Sequence, residues 1–139
     1  MQDRPNIREL LELSAQFIER QIVPITEGPL QFQARIVANV MRIVTREFEL
    51  EERQLREEIA LLAQLLDRPL STPTSTEHTR AEAVTLNAEL SRRIRAGEAD
   101  QGPWRQAVLE AVRKLVEEKL LVANPRYLLA DRAARAHNG

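Results

Sequence analysis

The sequence predicts an all-α fold, a single-domain bundle of about five helices, and three observations carry that expectation. Apolar residues recur at the three- and four-residue spacing of a helix over most of the chain. No segment alternates polar and apolar residues with the period of two that a half-buried strand requires. Three of the four glycines sit where helices should begin or end: Gly28 before Pro29, Gly97 after Ile94-Arg95-Ala96, and Gly102 before Pro103.

Taken in order, the first helix is expected to start near Asp3, whose carboxylate can accept from orphan amides, with Pro5 in its first turn. Ile7, Leu10, Leu11, Phe17, Ile18 and Ile22 give it a helical stripe, and Pro24 should weaken or end it. A second helix is expected from Pro29 to about Glu47, and a third from about Glu51 to Leu66 with Leu55, Ile59, Leu62 and Leu66 on one face. The link Phe48-Glu49-Leu50 contains no breaker, so the two could equally be one bent helix. Asp67 to Thr76, with Pro69, Pro73 and several Ser and Thr, reads as a loop. A fourth helix should cover about Glu77 to Ala96, presenting Ala83, Leu86, Leu90 and Ile94, and a fifth should run from Pro103 to about Ala123, where Asn124-Pro125 stops it. Residues 1–128 are assigned to the bundle and 129–139 to a flexible, polar C-terminal tail.

Composition narrows the function classes. Hydrophobic residues at 43% and charged residues at 29% match an ordinary globular domain, and 139 residues suffice for one core. With 20 basic against 21 acidic side chains there is no global field to attract nucleic acid or an anionic membrane, so neither is an expected partner. The absence of cysteine excludes disulfides, thiolate nucleophiles and sulfur-ligated zinc. His78 at a loop-helix junction and His137 in the tail do not make a metal set or a triad, and no phosphate-binding glycine loop is present, so no metal and no cofactor is expected. Neither a secretory leader nor an apolar run approaching the roughly 20 residues of a membrane span is seen, and a cytoplasmic location follows as the expectation.

Two features could carry recognition. On the second helix Phe32, Ile36, Val37, Val40, Met41, Ile43 and Val44 occupy most of the circumference, which predicts a central, mostly buried helix. One narrow stripe differs: Arg35, Asn39, Arg42 and Arg46 follow i, i+4, i+7 and i+11. Guanidinium forks on one face suit phosphates or carboxylates of a ligand or partner, and equally suit a solvated face or internal glutamates. Near the C-terminus, Pro125 fixes an exit and Arg126 with Tyr127, the only tyrosine, forms either a lid over the core or a docking edge. Glu47 and Lys119 interrupt apolar faces, which predicts either a structural ion pair between helices two and five or two side chains snorkelling to water. A catalytic role for that pair has no accompanying nucleophile or oxyanion device, so no catalytic residue is assigned. The short basic stretch Arg92-Arg93-Ile94-Arg95 fits the end of helix four, where it complements the helix dipole.

Asp3-Arg4-Pro5, the Phe32 to Glu47 stretch with its arginines, and Lys119 through Asn124-Pro125-Arg126-Tyr127-Leu128 together resemble a bacterial family of small helical proteins. Its members are encoded beside aminoglycoside-phosphotransferase-like kinases and acyl-CoA dehydrogenases. In a levulinate-type pathway a protein of this kind is the small accessory partner of a kinase that phosphorylates 4-hydroxyacyl-CoA, and the kinase subunit holds the ATP site. The resemblance implies a non-catalytic accessory subunit with a kinase partner, and it assigns no catalytic residues. A stand-alone CoA or acyl-CoA-binding module, with the arginines on the CoA phosphates, is the alternative. An exposed apolar edge, if the fold leaves one, would support a homodimer.

Overall fold

Asn6 starts the first helix. Its side chain accepts from the Glu9 backbone N–H at 2.9 Å while the Glu9 carboxylate accepts from the Asn6 N–H at 3.0 Å, a reciprocal capping box. The expected cap, Asp3, lies outside the residues that the computed structural model describes, which are 4–72 and 75–130. With Asn6 as the cap, Pro5 precedes the helix and does not occupy its first turn.

Helix α1 (Ile7–Phe17) continues as a π turn, Ile18–Ile22, and a 3-10 turn, Val23–Ile25. Pro24 stands in that last turn and ends the rod, as a residue without an amide donor should. Helix α2 (Gly28–Leu66) is one continuous element, so the breaker-free link at Phe48-Glu49-Leu50 stays helical. Helix α3 spans Thr76–Arg95, α4 spans Pro103–Ala123, and residues 125–130 form α5. The fold is all-α, and residues 131–139 of the expected tail lie outside the described residues.

The local chemistry explains the boundaries. Ser75 caps α3 by accepting from the His78 N–H at 3.1 Å, which leaves His78 exposed in the first turn. Arg92, Arg93 and Arg95 fill the last turn of α3, where positive charge meets the carbonyl end of the dipole. Gly102 holds φ at 84° immediately before Pro103 opens α4, a left-handed conformation that a side chain would resist.

The chain divides into two compact units, Met1–Leu50 and Glu51–Gly139. In the N-terminal unit α1 and the first part of α2 form an antiparallel hairpin: Arg8 pairs with Glu49, Arg42 with Glu19, and Gln31 reaches the Val23 carbonyl. The seam is closed by small residues, with Ala15, Ala34 and Ala38 buried. No larger hydrophobic side chain of this unit is buried among the described residues. The expectation of a mostly buried central helix is therefore corrected: Phe32 is 66% exposed, and Ile36, Val37, Val40 and Val44 are all exposed. One neighbouring helix covers only one side of α2, and helical periodicity alone does not supply a second.

The C-terminal unit packs residues 51–66 of α2 with α3 and α4. Ile59, Leu62, Leu66, Ala83, Leu86, Leu90, Val108 and Leu115 form its core, and Leu128 of α5 is buried as well. Directions follow from the cross-helix contacts. Arg80 meets Glu51 and Asn87 meets Glu58, so α2 and α3 run parallel; Gln54 meets Glu118 and Trp104 meets Leu65, so α2 and α4 run antiparallel. A parallel pair needs the chain to travel back along α2 before α3 begins. The loop that follows Leu66 does this: Leu70, Ser71 and Thr72 lie with Ser75 and Thr76 around a recess whose other wall is Glu52, Leu55, Arg56 and Ile59 of α2.

Candidate functional site

At 100° per residue, the side of α2 that meets α1 carries Ala34, Ala38, Met41 and Thr45. Phe32, Ile36 and Val40 point away from α1, and the two flanks between differ in character. One flank holds Arg35, Asn39, Arg42 and Arg46; the other holds Leu30, Val37, Val44 and Phe48.

The structure brings the four stripe residues onto one flank and uses part of them internally. Arg42 Nη2 donates to Glu19 Oε2 at 2.7 Å, its Nη1 donates to Glu19 Oε1, and Glu12 Oε1 lies 3.9 Å away. That hydrogen bond to Glu19, opposed by partial burial and reinforced by the charges of Glu19 and Glu12, raises the Arg42 pKa. Arg46 is half-buried and engaged as well. Arg35 and Asn39 are exposed, and no ion pair holds Arg35 among the described residues. Arg42 thus serves the hairpin. Sequence reasoning did not single out its carboxylate partners, although Glu12 and Glu19 stand seven residues apart in one predicted helix, a spacing that puts both on one face; in the structure Glu12 lies on α1 and Glu19 in the π turn that follows it.

Glu47 and Lys119 are both exposed, so they do not make a buried ion pair. Lys119 Nζ lies 3.8 Å from Glu58 Oε2, whose side chain is 12% exposed and whose other oxygen accepts from Asn87 Nδ2 at 2.6 Å. Glu58 is the largely covered carboxylate that sequence reasoning missed. It sits at i+4 from Gln54, which donates to the Glu118 carbonyl at 2.8 Å, so the two residues form a polar seam along α2.

The C-terminal edge differs from the lid that an aromatic beside aliphatics suggests. Tyr127 is 60% exposed and Arg126 is exposed, while Leu128 between Tyr127 and Leu129 is 2% exposed. Leu128 is the plug, and it turns Arg126, Tyr127 and Leu129 outward. On α4 the side chains of Leu109, Val112 and Val116 are exposed beside the buried Val108, Ala111 and Leu115. Arg93, from the short basic stretch, stacks on Trp104 at 4.3 Å and pairs with Glu98 at 2.6 Å.

The recess beside the loop, about 560 Å³, contains none of the recognition or ion-pair residues proposed from the sequence. Three of its hydroxyls serve local structure: Ser71 donates to Glu82, Ser75 caps α3, and Thr79 donates to the Ser75 carbonyl at 2.9 Å. Among the described residues no group of three or more His, Asp or Glu is placed to hold a metal ion, and no helix is long and apolar enough to cross a membrane.

A family model described as a domain of unknown function (DUF6285) matches residues 24–127, which is most of the chain, and the chain belongs to that family. The match spans the arginine stripe, α3, α4 and the edge up to Tyr127, and it starts after α1. No curated protein and no solved structure matches the chain.

Proposed function

We propose that this DUF6285 member is a non-catalytic accessory subunit that docks an aminoglycoside-phosphotransferase-like kinase acting on hydroxyacyl-CoA in short-chain hydroxy and keto acid catabolism. The observation that carries the docking role is the outward edge of the C-terminal unit. Tyr127, Arg126 and Leu129 point into solvent from a turn whose only buried side chain among the described residues is Leu128. Tyr and Arg are the residue types that concentrate binding energy at protein interfaces, and a fold that spent Tyr127 on its own core would bury it. The stripe Leu109, Val112 and Val116 on α4 offers further apolar surface of the same unit. The choice of kinase rests on the sequence resemblance.

Co-expression with an aminoglycoside-phosphotransferase-like kinase of the proposed kind tests the reading. A complex that co-purifies, raises kinase solubility or activity, and weakens with Tyr127→Ala supports it. A kinase that is fully soluble and active alone and forms no complex overturns it. Titrating the isolated protein with CoA and acyl-CoA separates the alternative, because a docking subunit shows no saturable binding whereas a stand-alone module does. Arg42 is committed to Glu19, so only Arg35 and Asn39 of the stripe remain exposed for such a ligand.

A further inference from the structure

The hairpin of the N-terminal unit is half of a bundle. Its seam buries three alanines and no larger hydrophobic side chain among the described residues, which leaves Ile7, Leu10 and Phe17 of α1 and Val37, Val44 and Phe48 of α2 in water. These six lie on the flank opposite Arg42, Glu12 and Glu19, and Ile7, Leu10 and Phe48 line one shallow recess, which shows that the two helices contribute to a single surface. We propose that this face is covered by a second copy of the chain, the two hairpins closing into a four-helix bundle around a two-fold axis.

Three properties select a second copy as the occupant. With Leu30 and neighbouring side chains, each about half exposed or more, the face presents on the order of 800 Å² of apolar surface, the area one partner gives to a standard stable interface of about 1,600 Å² in total. A two-fold interface sets a surface against itself, so any charge at its centre meets its own sign nearby; the six side chains are uncharged, the Arg42–Glu19 pair sits on the other flank, and the Arg8–Glu49 pair, which also lines the recess of Ile7, Leu10 and Phe48, is closed on itself and brings no net charge. Two antiparallel helices cannot enclose large side chains, and two more antiparallel helices are what an up-down bundle supplies. The docking edge at Tyr127 belongs to the other unit, so this dimer and kinase docking stand or fall separately.

The test uses the full chain and its lack of cysteine. Sedimentation equilibrium should give a dimer at micromolar concentration. Val44→Cys, a mild change on the apolar face, should react with a thiol reagent about tenfold more slowly in concentrated than in dilute protein, while Asn39→Cys on the polar flank reacts equally at both. Val37→Glu should give a monomer that keeps its helical circular dichroism. A monomer at tens of micromolar, concentration-independent labelling of Val44→Cys, or a dimer that is lost with Leu109→Glu and not with Val37→Glu overturns the proposal, as does a stable complex in which a different protein alone protects Val44→Cys. If Val37→Glu fails to fold, the labelling comparison still decides.

Discussion

Arg42 grips Glu19 with both guanidinium nitrogens across the hairpin, with Nη2 2.7 Å from Oε2. The contact joins the π turn after α1 to the middle of α2, and it is the two-pronged geometry that gives an exposed pair its best return. Both side chains remain partly exposed, 31% and 42%, so screening limits the coupling to about 0.5–1 kcal/mol. A double-mutant cycle with Arg42→Ala and Glu19→Ala, read by hydrogen exchange of α1 amides, should return a coupling of that size and lose much of it at 1 M salt. The sign with pH follows from the raised Arg42 pKa: its contribution is complete below the ordinary guanidinium value and is lost only as pH climbs through the higher folded one. Titration of Arg42 should therefore leave hairpin protection unchanged between about pH 6 and 9.

Leu128 and Tyr127 are neighbours with opposite tasks. Leu128→Ala empties a fully packed position of the C-terminal unit and should cost about 2–5 kcal/mol in denaturant unfolding. Tyr127→Ala removes an exposed ring and should change stability by no more than about 0.5 kcal/mol, while weakening the proposed kinase docking by at least about tenfold. A Tyr127→Ala variant as unstable as Leu128→Ala would return Tyr127 to the core.

Trp104 donates from Nε1 to the Leu65 carbonyl at 3.1 Å, satisfying one of the orphan acceptors at the end of α2. Trp104→Phe keeps the ring and removes that donor, and should destabilise the C-terminal unit by about 1 kcal/mol. Trp104 is the chain's only tryptophan, so in the natural protein its fluorescence reports this unit alone, and the variant is followed by circular dichroism.

How much was legible from the sequence can be argued residue by residue. The helical class, the breaker-free Phe48-Glu49-Leu50 and the glycine boundaries are local properties, and local chemistry is what a sequence displays. Periodicity also put Arg35, Asn39, Arg42 and Arg46 on one flank. It could not say what faces that flank, because the direction of a side chain on its own helix does not name the residue opposite: Glu19 meets Arg42, and Glu58, not Glu47, lies near Lys119. The same gap explains α2, whose apolar circumference suggested burial although the hairpin covers one side of it. The parallel run of α2 and α3 was equally invisible, since a short loop between helices ordinarily joins antiparallel neighbours.

That parallel run gives the loop a length requirement. Residues 51–66 of α2 rise about 24 Å, and the roughly nine residues between Leu66 and Thr76 span about 30 Å when extended. Pro69 favours extended backbone at the residue before it, and the side chain of that residue, Arg68, holds the loop's start by donating to Glu89 at 2.9 Å. A connection between antiparallel helices would tolerate shortening; this one should not. Removing four loop residues leaves a reach of about 17 Å, too little to carry the chain back, and should abolish cooperative unfolding of the C-terminal unit. Inserting Gly-Ser should cost only a few tenths of a kcal/mol, because closure entropy grows slowly with length. Thermal melts of the two variants, monitored at Trp104, check the asymmetry: equal tolerance of both changes would mean that α3 does not run parallel to α2.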